Sequence, residues 1–297
     1  MKNYKFLALM FCCLLCFGSA LAAPAAADDL DQIKARGELR HMGEPYANFI
    51  TGAGDGLSVE VMKAFAAHLG VRYRFVPTTW GSAIGDLLGR KVSMTGGEAV
   101  LGEPQPVRGD VWAGGVTVLP WREKVLAFSQ PTFPNQVWLV ARADVKVEPI
   151  KPSGDPDKDV ALVKTRLKQL SVLCVPGTCL DGRQYRLDQA GAKLIDYAGK
   201  VSDIVAVVVQ GQSQALLQDA PDAMVSLQKW PGELKVIGPV SPVQQMAAAF
   251  APSSVRLRGE FNSFLTKLKR SGRYRAMAQK YYPAVVEYFP DFFAQAR

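Results

Sequence analysis

The chain has 297 residues, a length that suits one or two domains, and carries 35 basic against 27 acidic residues. The basic residues are not gathered into a patch of the kind that nucleic-acid binding requires. Two histidines in the whole chain are too few for a histidine-rich metal centre, and with no serine elbow they argue against a hydrolytic triad.

Residues 1–22 read as a secretory signal: Lys2 and Lys5, a short apolar core from Phe6 to Phe17, and the small-x-small pattern Ser19-Ala20-Leu21-Ala22. The core is shorter than the roughly 20 apolar residues of a spanning helix. Cys12, Cys13 and Cys16 lie in it without the small residues that precede a lipid-attachment site. No later segment is long and apolar enough to span a bilayer. The exported chain is expected to be soluble, with 33 basic against 27 acidic residues and a net charge of +6.

Residues 30–36 read as a short helix ended by Gly37, and 38–43 as a strand. Residues 56–69 place Val59, Met62, Phe65, Ala66 and Leu69 at helical spacing, ended by Gly70. Residues 71–76 alternate as a strand and 80–88 form a second helix. This strand–helix–strand–helix opening implies an α/β fold with a mainly parallel sheet. Residues 91–108 contain Gly and Pro and read as an inserted hairpin or loop, a placement that often carries recognition and as often is surface elaboration.

Residues 144–159 are charged, Pro-rich and aperiodic, as in an exposed linker. Helix, strand, helix and strand are then expected at 160–170, 171–175, 180–190 and 193–197, a helix within 201–217, a strand at 223–227 and terminal helices over 261–282. The expected division is one lobe of residues 28–140 and 242–297 and a second of 141–241, joined by a hinge of two segments. The aromatic tail 281–293 either packs back on the first lobe or docks a partner.

With the leader removed, Cys174 and Cys179 remain, flanking a Pro-Gly turn. In an oxidising compartment they suggest a local disulfide. The alternative, a redox or metal pair, would need ligands beyond His41 and His68 for a metal, and both histidines read as structural.

The run Ala113-Gly-Gly-Val-Thr-Val-Leu-Pro-Trp-Arg-Glu-Lys-Val-Leu-Ala-Phe-Ser-Gln-Pro-Thr-Phe133 resembles the signature G-G-M-T-I-T-P-E-R-x-x-x-V-x-F-S-x-P-Y of the periplasmic solute-binding proteins of family 3, matching it at Gly114, Gly115, Thr117, Pro120, Arg122, Phe128, Ser129 and Pro131. Residues 30–43, the Pro45–Phe49 loop and the run from Gly56 extend the likeness. It implies a two-lobed periplasmic binding protein that acts as a monomer, needs no cofactor and hands a small solute to an ABC permease. A ligand-sensing or accessory subunit of a periplasmic enzyme or receptor is the alternative. The same fold serves as a dehydratase in some relatives and sits beside a lytic transglycosylase domain in others; Glu44, Glu98 and Glu103 are the carboxylates an enzyme reading would use, without a supporting motif.

By the same resemblance Arg122 grips a ligand carboxylate, which a guanidinium fork fits in two-pronged fashion. Tyr46, Phe49 and Trp80 become candidate aromatic walls, Gly115 and Thr117 first-lobe contacts, and Thr178 a second-lobe contact at a helix start. Two departures stand out. Leu119 replaces a usual threonine, and the run Asp222–Leu227, set against D-A-V-V-x-D, replaces the acid that holds a ligand ammonium with Leu227, leaving Ser226 and Gln228 as polar neighbours. A buried ammonium without a carboxylate is costly. The ligand is therefore expected to be a small anion or carboxylate without an obligatory ammonium.

Overall fold

The computed structural model describes residues 29–95 and 98–294. The expected leader lies outside the described residues. The first half runs α1 (Asp29–Arg36), β1 (Glu38–Gly43), α2 (Leu57–Leu69), β2 (Arg72–Pro77), α3 (Ala83–Leu88), β3 (Arg90–Thr95), β4 (Glu98–Pro104), β5 (Val111–Trp112), α4 (Pro120–Glu123), β6 (Ala127–Asn135) and β7 (Val137–Arg142). It continues through α5 (Pro156–Lys164), β8 (Ser171–Cys174), β9 (Lys193–Asp196), α6 (Ile204–Val209), β10 (Ala215–Asp219), α7 (Ala220–Lys229), β11 (Leu234–Pro239) and β12 (Gln244–Phe250). Four helices follow: α8 (Val255–Arg270), α9 (Arg273–Tyr281), α10 (Val285–Tyr288) and α11 (Pro290–Ala294).

The strands form two five-stranded sheets, ordered β2-β1-β5-β12-β6 and β11-β7-β10-β8-β9, and the β3–β4 hairpin stands apart. The architecture is the expected two-lobed α/β fold. The sheets are mixed rather than mainly parallel: β1 pairs parallel with β2 and β5, and β8 with β9 and β10, while β12 runs antiparallel to β5 and β6, and β7 to β10 and β11. The antiparallel pairs arise where the chain changes sheet. It leaves the first sheet on β6 and returns on β12; it joins the second on β7 and departs from β11, and each outgoing strand lies beside its returning one.

Only Gln136 separates β6 from β7. The two crossings are tied together: Val240 N–H donates to Val137 O at 2.8 Å, and Val137 N–H to Ser241 Oγ at 2.8 Å. Polar side chains brace the two crossings: Gln136 Nε2 donates to Ser241 O at 3.2 Å and Asn135 Nδ2 to Gln244 Oε1 at 3.3 Å.

Beneath the first sheet, Phe65 of α2 meets Phe261 and Phe264 of α8 with ring centroids 5.1 and 5.3 Å apart. Gly56 starts α2 at φ +128°, and a Cβ there would stand 2.3 Å from Phe49 O, so only glycine fits. The second core gathers Leu139, Val163, Leu167, Val172 and Leu217. Of the aromatic tail, Val285 and Phe293 join the first core, Tyr288 meets Trp138 of β7 at 5.8 Å, and Phe289 packs against both lobes.

Several local expectations change. Residues 223–227 lie within α7 because Asp219-Ala-Pro supplies an N-cap position and a proline in the first turn. Gly182–Tyr185 is a single 3-10 turn rather than a longer helix, and Asp155, accepting from Asp157 and Lys158 N–H, starts α5 inside the charged linker. Among the described residues no helix is long and apolar enough to cross a membrane.

Candidate ligand-binding site

Arg122 sits in α4, a single turn started by Pro120 after extended Leu119. It is 3% exposed. Trp121, Trp112 and Trp80 surround its guanidinium at 5.2, 5.5 and 5.9 Å, so the cation is held by ring faces as well as by charge. Its Nη1 donates to Thr117 O at 2.9 Å, while Nε has no partner. Burial lowers its pKa, opposed by Cys179 and Asp219, and a guanidinium stays charged throughout.

Facing it is a residue the sequence reading missed. Asp219 ends β10 and is 2% exposed. Tyr46 Oη donates to its Oδ2 at 2.5 Å, Asn135 Nδ2 to its Oδ1 at 2.5 Å, and Cys179 Sγ lies 3.3 Å from Oδ1. Burial raises its pKa, and these three donors work in the other direction. No ion pair joins Arg122 to Asp219 among the described residues, yet both line one cavity of about 20 Å³ with Tyr46, Trp80, Gly115, Thr117, Thr178, Cys179, Leu180 and Val201. That volume holds roughly one water molecule. Tyr46 and Thr117 come from the first lobe, Cys179 and Asp219 from the second, so the Tyr46–Asp219 bond and the Thr117 Oγ1–Cys179 Sγ bond at 3.3 Å span the cleft.

Four buried side-chain polar atoms lack a partner among the described residues: Trp80 Nε1, Arg122 Nε, Asn135 Oδ1 and Gln218 Oε1. Trp80 and Arg122 line the cavity and Asn135 bonds Asp219, whereas the Gln218 side chain turns away from the cavity to Asp222 and Ser226. Buried polar atoms are ordinarily satisfied. Here the spare donors accompany the guanidinium, and one spare acceptor, Asn135 Oδ1, accompanies the carboxylate. The expectation of a site without a carboxylate is therefore corrected: Leu227 lies on α7, and Asp219, at the end of the preceding strand, lines the cavity.

The structure brings Tyr46, Trp80, Gly115, Thr117, Arg122 and Thr178 to this cavity. Gly115 needs its glycine, with φ +80° and a would-be Cβ 2.8 Å from the Phe49 ring. Thr178 spends its hydroxyl locally, donating to Val175 O at 2.8 Å and accepting from Leu180 N–H at 3.0 Å. Phe49 does not line the cavity; it packs in the first core against Phe133 and Tyr282, each at 5.1 Å. Ser226 also lies away from it, accepting from Gln218 Nε2 at 2.8 Å.

The expected Cys174–Cys179 disulfide is not formed: both are free, buried thiols. Cys174 packs into the second core beside Gly182, and burial pushes its thiol up to about 11. Cys179 turns to Thr117 and Asp219, where burial and the neighbouring carboxylate hold it well above the usual thiol range. His41 is buried between Tyr73 Oη at 2.9 Å and Ala113 O at 2.7 Å, and burial lowers its pKa to about 4, so it is neutral. Glu98 and Glu103 pair with Lys124 and Lys91 on the exposed hairpin. Glu44 stands at the cleft, accepting from the Trp80 backbone N–H at 3.2 Å.

A cleft between two α/β lobes, with a caged cation and a separate buried anion, is the site of a solute-binding protein. The model of the bacterial extracellular solute-binding proteins, family 3, matches residues 96–284, more than half of the chain, and the chain belongs to that family. The crystal structure of the P235GK mutant of ArgBP from T. maritima is similar with a TM-score of 0.68 at 25% identity, covering 86% of this chain and 99% of that one. The ancestral amino acid-binding protein AncCDT-1, a precursor of cyclohexadienyl dehydratase, has the same fold, with a TM-score of 0.64 and 23% identity over 86% of this chain and 99% of that one. The membrane-bound lytic murein transglycosylase F of Desulfosudis oleivorans is 23% identical over 231 residues, 77% of this chain; the chain spans 44% of that protein's length.

Proposed function

We propose that this protein captures a free α-amino acid in the periplasm and presents it to an ABC permease. One observation carries the reading: Arg122 and Asp219 share a cavity without pairing, with Arg122 Nε and Trp80 Nε1 unspent on one side and Asn135 Oδ1 on the other. A zwitterion satisfies that arrangement. Its carboxylate meets the guanidinium and the Trp80 indole N–H; its ammonium meets Asp219. A ligand with only one of the two charges leaves a buried group uncompensated.

The closed cavity is too small for an amino acid, so capture requires the lobes to part at Asn135–Val137 and Pro239–Gln244. The ligand then takes over, at Asp219, the donation that Tyr46 makes when the cleft is shut. Only contacts made better in the closed form shift such an equilibrium, and Arg122 and Asp219, one from each lobe, supply them. Arginine is bound in several structures of similar fold, and Glu44 at the cleft gives a basic side chain an anionic partner, so basic amino acids are the favoured class.

The decisive screen is thermal stabilisation by a panel of amino acids and by carboxylates lacking the amine. Stabilisation by amino acids alone supports the reading; stabilisation by plain carboxylates alone refutes it. A second role, as a sensing or accessory module of a cell-wall enzyme, draws on the likeness to the transglycosylase; it uses the same site, and an enzyme that co-purifies with the protein would favour it over transport.

A further inference from the structure

Among the described residues the β3–β4 hairpin pairs with no other strand. Its register sets Val92 opposite Leu101 and Met94 opposite Ala99, so these four share one face. That face is apolar, yet Met94 is 45% and Leu101 40% exposed. A two-stranded hairpin is marginal in water unless a face is covered. One anchor ties it to the site: Lys124, two residues after Arg122, bonds Glu98 of β4 at 2.6 Å.

Val92 and Met94 wall a cleft of about 570 Å³ outside the inner cavity. Trp80, Arg122, Thr178 and Val201 border both spaces, so the outer cleft continues the inner one. Across from the hairpin stand Tyr197 and Lys200 of the second lobe. A ligand held by Arg122 and Asp219 can extend outward, past Trp80, into this chamber, which is larger than the cleft of about 200 Å³ that adjoins the cavity at Tyr46 and Val201.

We propose that the hairpin is the specificity element of the site, its Val92–Met94 edge covering the ligand's side chain and selecting amino acids with a long, unbranched aliphatic stem. The proposal rests on the amino-acid reading above and adds to it what that reading leaves open, the length of the side chain. Each further methylene that reaches the Val92–Met94 edge leaves water, which strengthens binding several-fold per carbon. Short amino acids, admitted when the lobes part, reach Arg122 and Asp219 alone and gain nothing from the hairpin.

The test is calorimetric titration of alanine, norvaline, norleucine, ornithine, lysine and homoarginine into the parent protein and into V92S/M94S, with V100S on the opposite face as a control. For the parent and V100S, affinity is expected to rise with chain length among the neutral members and again among the basic ones. For V92S/M94S the alanine affinity is expected to stay within about twofold while the rise with length disappears. A length dependence that persists in V92S/M94S, or a parent that binds alanine as tightly as norleucine, overturns the proposal while leaving the amino-acid reading intact. A parent that binds none of the six overturns both. Unchanged melting temperature of the variants separates lost selectivity from lost folding.

Discussion

Replacing Asp219 by asparagine separates binding from folding. The side chain keeps its shape and can still accept from Asn135 Nδ2, which now lies 2.5 Å from Oδ1. What it loses is the charge opposite a ligand ammonium. A hydrogen bond to a charged group contributes about 1.5–3 kcal/mol, so affinity should fall by roughly 10- to 150-fold at 1.4 kcal/mol per decade. Stability should move the other way. Burial holds the pKa of Asp219 above the ordinary carboxylate value, so its ionisation disfavours the folded state as pH rises, and the neutral amide escapes that penalty. In a thermal-shift assay at one hundred times the parent's dissociation constant, ligand adds about 2.7 kcal/mol to the parent, or roughly 5–10 °C at this size. A variant weakened a hundredfold gains only about 0.4 kcal/mol, near 1 °C. The expected record is an unliganded melting temperature equal to or above the parent's, with the ligand-induced shift nearly gone. An undiminished shift in Asp219→Asn would refute the assignment.

Arg122→Lys should weaken binding at least about tenfold, because lysine keeps the charge but loses the fork and the planar stacking among Trp80, Trp112 and Trp121; equal affinity by calorimetry would remove Arg122 from the site. Protein lacking residues 1–28 and isolated without reductant should titrate two thiols per chain after denaturation, and Cys179→Ser, which keeps a donor toward Asp219, should bind ligand within a few-fold of the parent; a bridged pair by mass spectrometry would contradict the site as drawn. The pH dependence of stability carries a signature of His41, whose folded pKa is about 4 against an ordinary 6.5. The depressed pKa means that its contribution is full above pH 6.5 and is lost as pH falls toward 4, by at most about 3 kcal/mol. His41→Gln should flatten the fall in melting temperature across that window, and an unchanged slope would place the acid sensitivity elsewhere. Asp222 runs oppositely: its pKa is raised to about 7 from 3.8, so the stability it gives at low pH is lost as pH rises through 7. Asp222→Asn should therefore be more stable than the parent at pH 8 and lose that advantage below pH 4, as circular-dichroism melts would record.

The fold was legible where periodicity and capping agreed. The amphipathic run over 56–69 and the apolar spacing after 261 give helices where they were expected, and the Gly114–Pro131 signature places Arg122 at the cleft. The second lobe was harder to read. Its strands are short and fully buried, as Ala215–Asp219 is, so they show no alternation. Residues 223–227 then looked like the better strand, and Asp219 was passed over. The corrective signal was present: an acid directly before Ala-Pro marks a helix start, which moves the strand upstream and leaves the carboxylate at its end. The cysteines failed for another reason. Sequence proximity across a Pro-Gly turn says nothing of direction, and one thiol points into the core while the other faces Asp219. Phe49 was misplaced because an aromatic residue beside a cleft loop satisfies core packing and cleft packing equally well in sequence. The cage around Arg122 joins Trp80, Trp112 and Trp121 from three separate segments, which only the fold brings together.

Recognition of both charges of a zwitterion is tested most directly by calorimetry on one ligand and its two truncations. Arginine should be compared with agmatine, which lacks the carboxylate, and with 5-guanidinovalerate, which lacks the amine. Each truncation is expected to weaken binding at least about tenfold, since each leaves Arg122 or Asp219 buried without its partner. Binding of 5-guanidinovalerate as tight as that of arginine would contradict the role of Asp219.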